Sequence, residues 1–242
     1  MPGHLILAAL MFIVPPAAAE DLERDTIRTS AGDVEITFIG HATVMLRWAG
    51  KTIEVDPWSR LAWFASLRPA DLVLVTHEHL DHCDTGAIAA VRIPSTIIFM
   101  TAKCAGMVDS GTVMKNGDVK KALGLTVEAV PAYNLEHKRP DGQPFHTKGE
   151  GNGYIVTIGH TRIYFAGDTE NTPEMEALKG IDIAFLPMNL PYTMTPEMVA
   201  AAAKAFRPKI LYPYHYSRTD PKKLVELMKD VTGVEVRVRN MR

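Results

Sequence analysis

The stretch that decides the fold is Leu72-Val73-Leu74-Val75-Thr76-His77-Glu78-His79-Leu80-Asp81-His82. Its first four residues form a continuous apolar run, which is typical of a strand covered on both faces. Three histidines and an aspartate follow within the next seven residues. His77 and His79 are two apart in a segment that is still close to extended, so their imidazoles can lean the same way. A buried strand that ends in metal-type ligands predicts an α/β fold with its site at a strand end.

This cluster favours a metal site over a structural use of the histidines. A lone buried histidine usually belongs to the core, and a lone His-x-His pair is weak evidence for a metal. Three imidazoles and a carboxylate in one turn are costly to bring together unless a cation offsets them. Imidazole and carboxylate are also donors that zinc prefers. We therefore expect a divalent cation at this strand end.

The remainder of the chain predicts a sheet-rich domain with helices outside. Alternating segments with hairpin spacing predict antiparallel strands at 34–39, 42–48 and 51–55. Further apolar runs predict buried strands at 95–100, 163–166, 181–186 and 210–212. Thr195-Pro196-Glu197 predicts the start of a helix through Phe206, and Asp220-Pro221 that of a helix to about Val231. An edge strand is expected at 234–238.

The segment from Tyr133 to Gly153 interrupts this pattern, because it holds four glycines and is longer than a routine connection. Such a segment is either a functional loop or flexible. No repeat period, charge block or linker divides the chain, so we expect one domain over residues 20–242.

The N-terminus resembles an export signal. Residues 5–14 form an apolar run that is shorter than the roughly 20 residues needed to span a bilayer. Ala17-Ala18-Ala19 supplies the small-residue cleavage pattern, although the positively charged first region is missing. We expect a signal peptide at residues 1–19 and an exported, periplasmic or secreted product. In that oxidising setting Cys83 and Cys104 could pair.

Composition excludes several classes of protein. The chain has 242 residues, of which 47% are hydrophobic and 22% are charged, and its formal net charge is −2. That profile excludes a disordered chain or a coiled coil. A domain that neutralises many phosphates carries a strong basic excess, so we expect no nucleic-acid partner.

The motif His77-x-His79-x-Asp81-His82 resembles the HxHxDH signature of the metallo-β-lactamase superfamily. Further segments resemble family landmarks in the right order: 38–42, 55–57, 165–169, 186–188 and 214–216. The resemblance implies a four-layer αββα sandwich. Among subgroups, the chain looks most similar to the small L-ascorbate-6-phosphate lactonase-like and N-acylphosphatidylethanolamine phospholipase-like hydrolases.

The resemblance also implies a site for two divalent metal ions, which we expect to be zinc, with manganese and iron open. The implied ligands are His77, His79, Asp81, His82, Asp168 and His215. The first two would hold one ion and Asp168 would bridge, because a carboxylate has two oxygens to share. A turn aspartate is the alternative for Asp168, and a core histidine for His215.

The third ligand of the first ion is a departure from the family pattern. Asn134 stands where the family places a histidine, and an amide oxygen is a weak zinc ligand. Either the first site has fewer imidazoles, or His137 or His146 reaches in from the long loop. We favour His146, because a loop of that length usually has a function, and supplying a metal ligand would be one. The alternative is that His146 is an exposed structural histidine.

The resemblance implies a hydrolase whose nucleophile is a metal-bound hydroxide, so no serine or cysteine nucleophile is needed. Asp81 would orient the water as well as bind metal, while His41 and Asp56 would line or buttress the pocket. A turn that ends a strand is the alternative for Asp56. Tyr192 and Asn189 are candidates for substrate binding, with packing as the alternative for Tyr192.

The bond cleaved stays open among ester, lactone, phosphodiester and amide, because one metal centre serves all of them. An apolar cluster follows Asp56: Trp58, Leu61, Trp63, Phe64 and Leu67. It is either core or a wall for a lipid-like substrate or a membrane surface; a small-molecule substrate is the other expectation. The alternative function is an exported metal- or ligand-binding protein without turnover.

Overall fold

Two seven-stranded sheets, each part antiparallel and part parallel, make up most of the computed structural model, which describes residues 22–242. The expected signal peptide at 1–19 lies outside the described residues. The first sheet contains, in spatial order, β1 (Glu23–Thr29), β2 (Gly32–Gly40), β3 (Thr43–Trp48), β4 (Lys51–Val55), β5 (Ala70–Leu74), β6 (Arg92–Met100) and β7 (Thr112–Val113).

The second sheet has the same number of strands and also follows chain order across the sheet. It contains β8 (Val119–Ala122), β9 (Leu125–Ala132), β10 (Gly151–Ile158), β11 (Thr161–Phe165), β12 (Ile183–Pro187), β13 (Ile210–Tyr214) and β14 (Glu235–Val236). Two short 3₁₀ helices (Phe64–Ser66 and Cys104–Gly106) and four α-helices complete the described chain: α1 (Thr85–Val91), α2 (Pro173–Glu176), α3 (Pro196–Phe206) and α4 (Pro221–Met228). None of these helices is long and apolar enough to cross a bilayer.

The main core lies between the two sheets. Ile36 and Leu46 from the first sheet belong to the same buried cluster as Tyr154 and Phe185 from the second. A smaller cluster lies on the other face of the first sheet, where Val73 belongs with Ile88 of α1. Helices therefore cover the outer side of a two-sheet sandwich, and the predicted αββα class is confirmed.

The hairpin strands and the buried apolar strands predicted from the sequence are confirmed, and so are two helix starts. Thr195 accepts a hydrogen bond from the N–H of Met198 at 3.1 Å. Asp220 accepts one from the N–H of Lys222 at 3.0 Å. Both are side-chain caps of the kind that the sequence indicated.

Some boundaries differ from the prediction. The helix from Pro221 ends at Met228, short of Val231, and the last strand covers only Glu235–Val236. Gly151 to Gly153 belong to β10, so the final part of the presumed loop is strand. Strand β1 was not predicted, because its burial pattern is largely exposed and its sequence, ERDTIRT, is mostly polar.

Candidate metal centre

The centre lies where strands of both sheets end. His41 follows β2, Asp56 follows β4 and His77 follows β5 by three residues. Asp168 and His215 follow β11 and β13 of the other sheet. The carboxyl ends of parallel strands collect at one edge of a sheet, which explains how residues far apart in the chain meet here.

Four residues form a first group, which we call the strand cluster: His41, Asp81, His82 and His215. Each offers one ligand atom, and these four atoms lie within 4.8 Å of one another. The Nε2 atom of His41 lies 3.0 Å from Oδ2 of Asp81, and Nε2 of His215 lies 3.5 Å from the same oxygen. The sequence predicted three of these as ligands, whereas it predicted that His41 lines or buttresses the pocket as a catalytic candidate. The structure brings His41 among them.

A second group, the loop cluster, consists of His77, His79, His146 and Asp168, again within 4.8 Å. His77 Nε2 lies 3.0 Å from His79 Nδ1. His146 comes from the long segment before β10, and its Nε2 lies 3.3 Å from Oδ2 of Asp168. This is the histidine that the sequence favoured to complete the first site.

Asp168 belongs to the loop cluster and also faces the strand cluster. Its Oδ1 is 3.5 Å from Nε2 of both His82 and His215. Its Oδ2 is 3.3 Å from Nε2 of His146 and 4.0 Å from Nε2 of His77. Each oxygen therefore faces one cluster, which is the arrangement that a bridging carboxylate requires.

Asn134 lies behind His146 and in neither cluster. Its side-chain oxygen accepts from the backbone N–H of His146 at 2.8 Å and from Nδ1 at 2.7 Å. Its amide nitrogen donates to Glu170 at 3.1 Å, and a carboxylate can only accept, which fixes the orientation of the amide. Because Nδ1 of His146 carries the proton, Nε2 is left as a ligand.

Glu170 was not singled out by sequence reasoning, yet it organises this loop. Its buried carboxylate accepts three consecutive backbone N–H groups, those of Leu135 and Glu136 at 2.6 Å and of His137 at 2.7 Å. His137 also hydrogen-bonds it through Nδ1 and so lies outside the loop cluster. Burial opposes ionisation, but these donors outweigh it and lower the pKa of Glu170.

Asp56 holds the strand cluster from behind in a similar way. Its oxygens accept from the N–H of Thr76 at 2.8 Å and from the Thr76 hydroxyl at 2.6 Å. Nδ1 of His82 lies 2.8 Å from Asp56 Oδ2, which leaves Nε2 of His82 facing the cluster. Asp56 does not line the cavity in front of the clusters, so it is a positioning residue.

Three residues of the centre have left-handed backbone conformations that are unusual for non-glycine residues. The φ angles are 50° at His41, 45° at Asp56 and 48° at His215. Each costs on the order of 1–3 kcal/mol, and such residues concentrate at functional sites. The N–H of His215 donates to the carbonyl of His41 at 2.7 Å, so the strained backbones also bring the two histidines together.

Buried polar atoms without partners test whether the residues fit a metal. Within residues 22–242, these atoms include Nε2 of His82, His146 and His215, and Oδ1 of Asp168. Leaving such an atom unsatisfied costs about 1–3 kcal/mol. All four belong to the two clusters, and a cation is a partner that satisfies imidazole nitrogens and a carboxylate together. The donor set therefore fits divalent cations.

The pKa shifts reflect the same crowding of charge. Burial favours neutral His82, but Asp168 and Asp56 outweigh it and raise the pKa of His82 to about 10. Burial would raise the pKa of Asp168, but His215 and His82 hold it well below its usual range. Burial and then neighbouring His82 lower the pKa of His77 well below normal, which keeps that imidazole neutral.

A cavity of about 400 Å³ opens in front of both clusters. Its lining consists of His79, Asp81, Arg139, Phe145, His146, Asp168, Asn189, Tyr192 and His215. The sequence singled out Tyr192 and Asn189, which both line it. Arg139 and Phe145 were missed, since nothing in a loop sequence marks which side chains turn towards a site.

The apolar cluster after Asp56 is divided between core and surface. Phe64 is buried, whereas Trp63 is 65% exposed. The ring centroid of Trp58 lies 4.9 Å from that of His41. Cys83 and Cys104 are buried free thiols in the structure.

Comparison with known proteins agrees with this geometry. Residues 35–215 match the family described as beta-lactamase superfamily domain. A UPF0173 metal-dependent hydrolase of Pyrococcus horikoshii is 32% identical over 223 residues, which cover 84% of this chain and 96% of the relative.

Solved structures are similar as well. A candidate metal-dependent hydrolase of Parabacteroides distasonis superposes with a TM-score of 0.87 at 44% identity, covering 91% of this chain and all of that one. Igni18, a metallo hydrolase of Ignicoccus hospitalis, gives a TM-score of 0.71 at 26% identity, over 86% of this chain and 95% of that one. This chain thus belongs to the beta-lactamase superfamily and, within it, to the UPF0173 family of metal-dependent hydrolases.

Proposed function

We propose that this hydrolase works with two divalent cations, expected to be zinc, one in the loop cluster and one in the strand cluster. The observation that carries the proposal is Asp168, which turns one oxygen towards each cluster while Nε2 atoms of three surrounding histidines lack hydrogen-bond partners. Cations bound there would polarise a carbonyl or phosphoryl oxygen and lower the pKa of water towards neutrality.

The residues of the chain have distinct tasks in this proposal. Asp81 is partly exposed at the cavity and is held by His41 at 3.0 Å, which suits a carboxylate that orients an attacking water. Asp56 and Asn134 keep the Nδ1 protons of His82 and His146 in place. The cavity in front supplies room for a small substrate, since such sites measure about 300–1,000 Å³.

The substrate class is proposed from resemblance. The likeness of the sequence to lactonase-like and phospholipase-like hydrolases favours a lactone or a phosphodiester as the first substrates to test. Ester and amide bonds complete the panel, because the same centre suits them. Export of the mature chain remains a proposal that rests on residues 1–19 alone.

The test combines metal analysis with an activity screen. Protein purified without added metal is expected to contain close to two divalent ions and to hydrolyse at least one substrate class. Activity should vanish on chelation and return with zinc or manganese. Protein that has a metal content near zero and gains no activity on addition of metal would refute the proposal.

A further inference from the structure

The part of the cavity wall that contains no candidate ligand has a chemistry of its own. It consists of Arg139, Phe145, Asn189 and Tyr192, which are one cation, two aromatic rings and one amide. The two carboxylates of the lining, Asp81 and Asp168, belong to the clusters. Arg139 is therefore the one charged group with which this wall can meet a substrate.

Arg139 is held in place at the cavity. It begins a tight turn, in which its N–H donates to the carbonyl of Gln143 at 2.8 Å and its carbonyl accepts from Gly142 at 2.9 Å. Its Nη2 donates to the carbonyl of Phe145 at 3.1 Å, and its Cζ lies 5.8 Å from the centroid of that ring. Arg139 is exposed, and these two contacts place its guanidinium beside the aromatic wall.

The guanidinium of Arg139 has N–H donors that could bind a ligand. A guanidinium has five N–H donors, and the hydrogen bond to Phe145 uses one. Across residues 22–242, no carboxylate lies within 4.0 Å of Arg139. A planar cation with free donors matches the two oxygens of a carboxylate or a phosphoryl group.

The aromatic part of the wall, Phe145 and Tyr192, also has surface available to a ligand. Phe145 and Tyr192 meet edge to face with their centroids 5.0 Å apart. Tyr192 remains 45% exposed, although its backbone is fixed by a hydrogen bond of 2.9 Å from Asn134. An exposed ring beside a cavity offers apolar contact area to a ligand.

We propose that the substrate is a small amphiphilic anion. Its carboxylate or phosphoryl group would pair with Arg139, and its aromatic or aliphatic group would pack against Phe145 and Tyr192. The proposal rests on the proposed function, because it places the scissile bond of the same molecule at the two clusters.

Binding of small probes tests this proposal without turnover. We would titrate phenylphosphonate, benzoate and neutral benzyl alcohol into the wild type and R139A, and follow the heat of binding. R60A is the matched control, because Arg60 lies 5.7 Å above the Trp58 ring and does not line the cavity. Comparing the two anions shows which oxygen group Arg139 prefers.

The expected result is that R139A weakens binding of at least one anion about tenfold, or about 1.4 kcal/mol. R60A should leave both affinities unchanged, and benzyl alcohol should not distinguish the variants. Y192A should reduce the preference for phenylphosphonate over methylphosphonate. Equal affinity of the anions for R139A and the wild type would overturn the proposal, because the anions would then bind through the clusters alone.

Metal content, measured on the same samples, separates this proposal from the proposed function. If the protein holds its metals and hydrolyses substrates, but R139A binds the anions normally, only the substrate proposal fails. If the protein holds no metal, the proposed function fails and the placement of the scissile bond at the clusters fails with it, while R139A still decides whether Arg139 pairs with anions.

Discussion

The loop cluster and the strand cluster use the same kinds of side chain but are held in different ways. In the strand cluster, all four residues either directly follow a strand end or lie in the HxHxDH turn, and Asp56 fixes His82 through a fully buried hydrogen bond. Strained backbones at His41 and His215 complete it. The loop cluster includes His146, which comes from the long loop and is hydrogen-bonded to Asn134, and Asn134 in turn donates to Glu170.

This difference indicates that the two sites should respond differently to mutation. A site built on strand ends derives its geometry from the sheets, whereas a site completed by a loop derives it from local hydrogen bonds. We expect the loop cluster to bind its cation more weakly and to be damaged by changes that leave the strand cluster intact.

Replacing Asp168 should give the largest effect on metal binding, because its carboxylate faces both clusters. D168A is expected to lower metal content from two ions to one or none and to reduce kcat/KM by more than about 100-fold. Metal analysis and kinetics on a folded sample check this. D33N, at an exposed aspartate of β2, is the control; an active D168A enzyme with two ions would remove Asp168 from the centre.

The second largest loss of metal affinity is expected from D56N, which removes a support of the strand cluster. D56N removes the carboxylate that fixes the tautomer of His82, and loss of such a support typically costs 10–100-fold in metal affinity. Competition with a metal-sensitive dye should show one weakened ion, with the other unchanged. Equal weakening of both ions would mean that the two clusters are not independently supported.

The matching change on the other side is N134A, which removes the acceptor for Nδ1 of His146. The weaker of the two ions should lose about 10-fold or more in affinity, while the tighter one stays. N171A is the control, because the side chain of Asn171 donates to Glu176 at 3.1 Å and belongs to neither cluster. If N134A weakened the more tightly bound ion instead, the loop cluster would be the tighter site, which contradicts our expectation.

A substitution at Glu170 tests whether its hydrogen bonds hold the loop of residues 135–137 in place. E170Q leaves some of the three N–H groups of residues 135–137 without a charged acceptor, at about 1–3 kcal/mol for a group left unsatisfied. Hydrogen exchange at these amides should accelerate while exchange in β5 and β13 stays slow. Unchanged exchange in the loop would show that Glu170 does not hold it.

The smallest effect on the centre should come from Asp25, which lies in β1 away from both clusters. Arg239 binds its oxygens at 2.8 and 2.9 Å, and Tyr212 also donates to it. Burial opposes ionisation, but these partners lower the pKa of Asp25 below 3.8. Its stabilisation is therefore present above pH 3.8 and is lost as the pH falls through the lower folded-state value.

D25N should accordingly destabilise the fold by about 1–3 kcal/mol at neutral pH, with the difference from wild type narrowing below pH 3.8. Urea unfolding at several pH values measures this. Metal affinity of both clusters should stay at the wild-type value. A loss of metal binding in D25N would mean that the clusters depend on the sheet edge as well.

The sequence was most informative where residues are local or follow strongly patterned strands. His77, His79, Asp81 and His82 lie within one turn, and the apolar run before them marks the strand. Asp168 could be placed because a buried strand precedes it. Such patterns report the strand ends, and strand ends define most of the centre.

Other parts of the centre depend on contacts that no local pattern encodes. His41 joins the strand cluster because its carbonyl pairs with His215 across the sandwich. Glu170 bonds backbone groups 33 to 35 residues away, and backbone donors leave no trace in residue type. Asn134 stands where the resemblance implied a histidine ligand, and in the structure its side chain hydrogen-bonds His146, which reaches the centre.

The most direct test of the two-cluster account is anomalous diffraction from crystals of the wild-type protein, grown without chelator and recorded at the zinc edge and at the manganese and iron edges. The account predicts two metal peaks, one on each side of the Asp168 carboxylate, with Nε2 of His146 beside one and Nε2 of His215 beside the other. One peak, or two peaks that do not flank Asp168, would contradict it.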